Sequence, residues 1–391
     1  MNNTLYDMVV IGAGIHGAGV AQAAAAAGCS VLVVEKTSIA GGTSSRSSKL
    51  IHGGLRYLES GQFALVHECL LERSRLLRLA SGLVHLTPHF LPVYRYTRRR
   101  PWKLRLGLTL YALLGQLEES TRFSRVPRRE WSSLDGLVTD GLQVVYRYWD
   151  AQTDDTALTY AVISSARKLG AELMIPAEIT SAQFDGYAWA VKLKTGEIGS
   201  CCRGRVLVNA AGPWVNTVLE RLEPVVTPRR IELVQGTHLI LAGRLQRGVY
   251  YTEAPSDGRA VFVMPWRGDQ ILVGTTETPF HGQPEDVRPL QEEREYLLDA
   301  LCNYFPAFRS RFVIDAFAGL RVLPVADGAH FGRARDAELD LAVDGRLVTI
   351  YGGKLTAYRS TAGEVMRKLI GVLPPREAIA DTEKLMLGPV V

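Results

Sequence analysis

The sequence predicts an α/β fold. A Rossmann-like dinucleotide-binding domain is interrupted by inserts, and the inserts build an antiparallel-sheet domain for a substrate. Three observations predict this. The first 35 residues read as strand, glycine-rich turn, helix and strand. Four segments between 230 and 276 alternate apolar and polar residues, with Gly and Pro between them. The last third returns to a strand followed by a helix. The 391 residues exceed what one core usually holds, so two domains or one elaborated domain are expected.

Residues 8–11 are a short, apolar run between Asp7 and Gly12 and read as a buried parallel strand. A helix follows up to Gly28, because the Ala-rich stretch 21–27 favours helix and glycine stops it. Residues 31–34 are the next strand, completing a right-handed βαβ unit. Residues 63–80 read as an amphipathic helix, with Phe63, Val66, Leu70 and Leu77 on the core face and arginines opposite. Residues 154–169 are another helix, capped by Asp154 and Asp155 and ended by Gly170. Residues 206–208 form a strand leading into Asn209-Ala-Ala-Gly-Pro-Trp. The alternating segments are 230–241, 247–253, 260–265 and 270–276. Residues 347–351 are a strand, followed by two glycines and a helix to about Ile370. The expected division gives 1–75, 142–222 and 318–391 to the nucleotide unit, and 76–141 and 223–317 to the substrate unit.

Composition narrows the class. Apolar residues make up 47%, which excludes a disordered chain. A net charge of +5 is too small to argue for nucleic acid. The five cysteines are odd in number and show no CxxC spacing, so neither a disulfide framework nor a metal site is expected, and a reducing compartment is. No signal peptide and no apolar run long enough to span a bilayer is read.

Gly12-Ala13-Gly14-Ile15-His16-Gly17 matches GxGxxG and lies between a strand and a helix. Gly12 permits the tight turn, Gly14 lets backbone approach a pyrophosphate, and Gly17 lets helix and strand pack closely. The helix N-terminus offers N–H groups and a positive dipole end. Glu35 ends the second strand, 18 residues after Gly17, where a carboxylate can accept both ribose hydroxyls. The loop 40–49, Ala-Gly-Gly-Thr-Ser-Ser-Arg-Ser-Ser-Lys, is rich in hydroxyls and suits a pyrophosphate and a ribityl chain, which favours FAD over NAD.

From here the chain resembles the FAD-dependent, quinone-linked glycerol-3-phosphate dehydrogenases. The resemblance is carried by VVIGAGIHGAGVA, by TSSRSSKLIHGGLRYLE at 43–59 and by NAAGPWV at 209–215. It continues through QGTHLIL at 235–241, VFVMPW at 261–266, ILVGTTE at 271–277, AGLRVLP at 318–324 and YGGKLTAYR at 351–359. It implies an FAD-binding domain of the glutathione-reductase or D-amino-acid-oxidase type. It also implies oxidation of the C2 hydroxyl of glycerol 3-phosphate to a ketone, with hydride transfer to flavin N5 and electrons passed to ubiquinone or menaquinone. The implied contacts to non-covalent FAD are Gly12, Gly14, Gly17, Glu35, Thr43, Ser44, Ser45, Ser48, Lys49 and His52. The backbone of Ile179 near the adenine, and Gly212, Gly353, Lys354, Leu355 and Thr356, complete that set. The implied substrate residues are Arg56, Tyr57, His238, Arg321 and Lys354, with His238, Arg321 and Lys354 catalytic.

The side-chain chemistry agrees with this. A phosphate dianion suits the planar fork of arginine. Arg56 follows Gly-Gly-Leu, so its loop can come close to a flavin. Arg321 sits in an apolar run where a charge needs an anionic partner, either the substrate or an internal carboxylate. Lys354 follows two glycines and suits negative charge developing on a flavin. Removing a hydroxyl proton needs a base, for which His238 and His52 are candidates, His52 more as a cofactor contact. His16, His67, His85, His89, His281 and His330 read as surface or packing residues. An FAD-dependent oxidase of an amino acid or 2-hydroxy acid, using oxygen, is the alternative, but one arginine satisfies a carboxylate. A flavin-binding sensor or assembly module is a third reading, and the intact substrate residues argue against it.

Two departures stand out. The family's extra C-terminal helical domain does not follow before Val391, so its role in regulation, in a homodimer or in quinone contact is expected to be missing or supplied by another chain. Residues 128–140 do not match closely. Six cations at 95, 98, 99, 100, 103 and 105 surround Trp102, and a 14-residue apolar stretch, 104–117, follows. That stretch is too short to cross about 30 Å of hydrocarbon. It is expected to lie on an anionic membrane with Trp102 and Tyr111 at headgroup level. A core helix behind a solvated basic turn is the other reading. The expected location is cytoplasmic, peripheral on the inner face of the cytoplasmic membrane.

Overall fold

The computed structural model describes residues 4–309, 312–325 and 337–388. His330 lies outside them. Two sheets organise these residues. In the first, Leu5–Ile11 is flanked in parallel by Val31–Val34 and by Ile198–Asn209. Leu347–Gly352 extends it in parallel beyond Ile198–Asn209, and Glu172–Met174 beyond Val31–Val34. The central strands are covered on both faces, which is why they are apolar at nearly every position. The strand read at 206–208 is the end of the longer Ile198–Asn209.

Helix Ile15–Ala26 packs on this sheet against Asp155–Lys168 and Tyr358–Leu369. Its small residues make that close approach possible. A Cβ on Gly17 would lie 1.9 Å from the Gly12 carbonyl oxygen, and one on Gly19 would meet the Tyr358 ring at 2.7 Å. Asp154 caps Asp155–Lys168 by accepting from the amides of Thr156 and Ala157.

The second sheet contains the four alternating segments, now Ile231–Ala242, Val249–Glu253, Ala260–Trp266 and Gln270–Gly274. It also takes Val84–Tyr94, Leu142–Thr153 and Val313–Pro324. Leu142–Thr153 and Val313–Pro324 were assigned by sequence wholly or mainly to the nucleotide unit. Each instead pairs along nearly its whole length with a strand of the second sheet. The sheet is not wholly antiparallel, because Val249–Glu253 runs parallel to Val84–Tyr94. Those two strands come from separate inserts, so no hairpin dictates their direction. Helix Gln291–Tyr304 covers the back of the sheet, and Leu297, Leu301 and Tyr304 join Leu239, Val261 and Val273 in one core. The front of the sheet faces the nucleotide unit.

Helix Phe63–Leu79 differs from its sequence reading at two points. Phe63, at its first turn, is exposed, while Val66 and Leu70 are buried. Arg73 is fully buried rather than facing solvent. Its guanidinium bonds Asp150 at 2.6 Å and the carbonyls of Trp149 and Ser120 at 2.8 and 2.9 Å, which offsets the cost of burying the charge.

Candidate active site

A cavity of about 440 Å³ runs between the two sheets, from the glycine turn to the front of the second sheet. At one end, Gly12 has φ +104, and a Cβ there would lie 2.7 Å from the Ala210 carbonyl oxygen. Only glycine fits that turn without displacing backbone. Gly14 is the N-cap of helix Ile15–Ala26 and offers no side-chain cap, so the first-turn amides depend on acceptors from outside the helix. The Ser44 hydroxyl accepts from Ile15 N at 2.9 Å. Glu35 is oriented by Ala13 N at 2.8 Å and by Thr37 N at 2.8 Å, with its carboxylate on the cavity wall.

Thr43 also lines the cavity, its hydroxyl donating to Leu320 O at 2.7 Å across the two units. Ile179 and Gly212 also line the cavity, and Gly353, Leu355 and Thr356 form its wall where strand Leu347–Gly352 ends. The Thr356 hydroxyl accepts from His52 N at 3.2 Å, tying that end to the His52 loop. His16, read from sequence as packing, stands on this wall beside Gly353. Burial alone lowers its imidazole to about 4, and its Nδ1 has no hydrogen-bond partner.

Three residues expected at the cofactor do not line the cavity. Gly17 faces the Gly12 carbonyl and serves helix–strand packing. Ser45 turns back to donate to Gly42 O at 3.2 Å. Lys49 is buried, its ammonium held by Asp155 at 2.6 Å and Ser45 O at 2.5 Å. A lysine at the end of a hydroxyl-rich loop reads as a phosphate contact. Here a helix-capping aspartate neighbour claims it first.

The other end of the cavity gathers the predicted substrate residues. Arg56 Nη2 and Arg321 Nη1 reach the same oxygen, Glu277 Oε1, at 3.1 and 3.3 Å. Arg321 Nη2 adds Thr275 Oγ1 at 3.2 Å and Thr276 O at 3.3 Å. The Lys354 ammonium sits 4.2 Å over the Tyr57 ring. His238 is buried, stacked on Phe317 at 4.9 Å, with Nε2 3.0 Å from Ser48 Oγ. Burial first, then the charges of Arg321 and Lys49, lower its imidazole to about 3. It is therefore neutral at physiological pH.

Sequence reasoning missed Glu277, although it closes the motif ILVGTTE, and missed His89, Tyr148 and Asp150, which also line the cavity. His89 is 1% exposed, and its Nε2 has no partner. Its signal was weak, since a histidine on an alternating strand carries no mark of which face it takes. Among the described residues no cluster suits a metal ion.

A glycine turn on a helix N-terminus, an acidic residue ending the next strand, and a second sheet closing over the cavity define a dinucleotide-dependent oxidoreductase. The family model for FAD dependent oxidoreductases matches residues 7–359. D-erythritol 1-phosphate dehydrogenase of Brucella abortus is 36% identical over 379 residues, covering 94% of this chain and 74% of that one. The aerobic glycerol-3-phosphate dehydrogenase of Escherichia coli is 34% identical over 371 residues, covering 93% and 73%. The glycerol-3-phosphate dehydrogenase of Bacillus halodurans, solved with FAD, superposes with TM-score 0.76 at 28% identity over 99% of this chain and 68% of that one. Glycine oxidase of Geobacillus kaustophilus, at 17% identity and TM-score 0.72, shares the fold. The chain belongs to the family of FAD-dependent oxidoreductases.

FAD is its cofactor. The site fits it on its own terms: a turn that excludes side chains at Gly12, a helix N-terminus without a cap of its own, the Glu35 carboxylate and the unpartnered His16 Nδ1. Gly12, Gly14, Ser44 and Glu35 would hold the dinucleotide half. The wall from His52 to Thr356 would hold the ring half.

Proposed function

We propose that the protein is a dehydrogenase of a small phosphorylated polyol, with glycerol 3-phosphate as its substrate and a membrane quinone, ubiquinone or menaquinone, as acceptor. The observation that carries this is the convergence of Arg56 and Arg321 on one anionic oxygen in the cavity. Two guanidiniums aimed at one point suit a dianion, which one carboxylate fills in their place here. D-erythritol 1-phosphate, the substrate named for the relative at 36% identity, carries the same phosphate on a longer chain.

When bound, FAD supplies the two-electron acceptor for the carbinol hydrogen. Arg56 and Arg321 hold the phosphate, and Lys354 and Tyr57 close the same end. His238 takes the hydroxyl proton. A phosphate on Arg321 offsets the second cause of its low basicity, the Arg321 charge, and leaves the first, burial, in place. Ser48, 3.0 Å from Nε2, fixes the ring.

The test is anaerobic mixing of the yellow protein with glycerol 3-phosphate, D-erythritol 1-phosphate, and an amino or 2-hydroxy acid. Bleaching by a phosphorylated polyol, followed by reoxidation faster with a short-chain quinone than with air, is the expected result. Bleaching only by a carboxylic acid, with peroxide formed in air, would replace this reading by the oxidase. Acid precipitation is expected to leave all the flavin in the supernatant, since binding is non-covalent.

A quinone acceptor places the protein at a bilayer, and helix Pro101–Leu114 supports a peripheral location on the inner face of the cytoplasmic membrane. Trp102, Leu106 and Leu113 recur at helical spacing on it, Leu117 follows in the turn beyond its end, and all four are exposed. Arg95, Arg98, Arg100, Lys103 and Arg105 are exposed around them. Two expectations need correction. Tyr111 faces inward, bonding Asp150 at 2.7 Å and accepting from Gly53 N at 3.0 Å. Arg99 is tied to Glu59 at 2.7 Å and Glu253 at 2.9 Å, so it braces the turn instead of facing lipid.

A further inference from the structure

Glu293 lies outside the cavity, on the first turn of helix Gln291–Tyr304, and it is buried. Among the described residues it has no cationic partner within ion-pair distance. Its two oxygens accept five hydrogen bonds instead. Oε2 takes Gln235 Nε2 at 2.6 Å, Thr237 Oγ1 at 2.5 Å and Leu290 N at 3.2 Å. Oε1 takes Thr276 Oγ1 and Thr278 Oγ1, both at 2.7 Å. Burial pushes this carboxyl up, and the bonds from Thr237, Thr278 and Thr276 outweigh it, so Glu293 stays below its ordinary range and is charged at neutral pH.

The donors are not scattered. Gln235 and Thr237 flank Gly236 and precede His238 on strand Ile231–Ala242. Thr276 and Thr278 flank Glu277. Thr276 is locked a second time, because its hydroxyl accepts from Thr237 N at 2.9 Å. The segment so held presents the groups that touch Arg321: Thr275 Oγ1 at 3.2 Å, Thr276 O at 3.3 Å and Glu277 Oε1 at 3.3 Å. Glu277 Oε1 also takes Arg56 at 3.1 Å. One buried carboxylate thus joins the strand that carries His238 to the 275–277 connection that carries the partners of both arginines.

We propose that Glu293 is a positioning residue for anion recognition: by gathering Gln235, Thr237, Thr276 and Thr278 it holds the 275–277 segment where it aims the Arg321 and Arg56 guanidiniums at one point. A misplacement of about 1 Å in a recognition site is enough to lose much of its effect. Five bonds to one buried charge set that tolerance, since charge-assisted bonds are short and directional. Side chains at this position that cannot accept would leave the buried hydroxyls of Thr237 and Thr276 and the half-buried hydroxyl of Thr278 without this acceptor, and Gln235 with only the Arg288 carbonyl. Glutamine of the same shape keeps the Oε2 contacts and can meet Thr276 and Thr278 with its amide if their hydroxyls turn, so it should preserve most of the geometry.

The inference rests on the phosphate site proposed above, and one experiment separates the two. Inorganic phosphate is measured as a competitive inhibitor of the flavin-loaded enzyme, with the visible flavin spectrum as the check that FAD is held normally. Failure of phosphate to compete in the unmodified enzyme would overturn the phosphate site, and this proposal with it. Given competition there, Glu293→Ala is expected to weaken phosphate at least tenfold with an unchanged flavin spectrum. KM for the phosphorylated substrate should rise by more than kcat falls. Glu293→Gln is expected to recover phosphate affinity to within about threefold of the unmodified enzyme. If Glu293→Ala does not fold, Thr278→Val decides, removing one donor and costing about threefold in phosphate affinity. Phosphate affinity unchanged in the folded Glu293 variants, or in Thr278→Val where Glu293→Ala does not fold, would overturn the positioning role alone.

Discussion

The two ends of the cavity bind by different means. At the glycine turn, recognition comes mainly from backbone: a helix N-terminus, a carbonyl that forbids a Cβ and a dipole that needs no side chain. The parts lie within 24 residues, from Gly12 to Glu35. At the arginine end, recognition comes from charged side chains at 56, 277, 321 and 354 and the neutral imidazole at 238, on separate segments brought together by two sheets. A backbone site is rigid once its helix packs, and it tolerates almost no added atom. A side-chain site has to hold its own charges in low dielectric, so it borrows internal partners such as Glu277 until a ligand takes their place.

The largest effect should come from adding one methyl group to the backbone site. Gly12→Ala places a Cβ 2.7 Å from the Ala210 carbonyl oxygen at a φ of +104, where neither backbone nor side chain can give way cheaply. The expected outcome is protein without flavin, read as loss of the visible absorbance relative to that of the protein. Normal flavin content in this variant would break the contrast, since the turn would then be as adaptable as the arginine end.

At the arginine end a comparable loss requires a whole charged group. Arg321→Ala should keep FAD but raise the KM for glycerol 3-phosphate roughly tenfold to a hundredfold, from the loss of a charge-assisted contact of about 1.5–3 kcal/mol. Unchanged KM would mean that Arg321 serves only its pairing with Glu277. Retention of FAD is the control that keeps the two ends distinct.

The same contrast explains what was legible in the sequence. The turn, Glu35 and the βαβ unit are local, so spacing alone places them. Arg56 and Arg321 are far apart, yet both lie in motifs, and the resemblance brought them together. Glu277 and Glu293 were not legible, because a carboxylate beside two arginines, or beneath three threonines, is defined by strand pairing between segments more than ten residues apart. Lys49 and Arg73 were misread for the reverse reason: each looked exposed or ligand-facing until Asp155 and Asp150 claimed it. The domain division slipped at Leu142–Thr153 and Val313–Pro324 because a strand's own residues do not say which sheet it joins.

The cavity should also set how the protein responds to acid. Burial lowers His238 to about 3 and His16 to about 4, both below the ordinary 6.5. As pH falls below 6.5 the unfolded chain gains protons that the folded chain refuses. The stability contributed by the neutral imidazoles is therefore complete above pH 6.5 and lost progressively down to pH 3–4. Between pH 7 and 5 the cost is on the order of 2 kcal/mol per imidazole. Melting temperature against pH should fall more steeply for the unmodified protein than for His238→Asn. Parallel curves would show that His238 is not held neutral by burial.

The smallest effect concerns arginines in water. Arg56 and Arg321 act in a cavity where their charge is weakly screened, whereas Arg98 and Arg100 are exposed beside the apolar stripe of helix Pro101–Leu114. Each cation near an anionic bilayer contributes about 1 kcal/mol, and that contribution fades within a Debye length of about 8 Å at physiological salt. The stripe adds apolar burial that salt does not screen, with Trp102, 69% exposed, as its most exposed member. Charge and stripe should therefore separate in a sedimentation assay with liposomes. Arg98→Gln with Arg100→Gln should weaken the preference for anionic over neutral lipid and the sensitivity to salt, leaving the share of Arg95, Lys103 and Arg105. Trp102→Ala with Leu106→Ser should weaken binding to both lipids alike. None of these changes should alter the KM for glycerol 3-phosphate, because the inner face of this helix meets the cavity wall through Tyr111 and Asp150 and is left intact. Equal partitioning of the unmodified protein to anionic and neutral liposomes, or none to either, would make the helix an ordinary cover for the Tyr111 core and remove the surface arginines from the comparison.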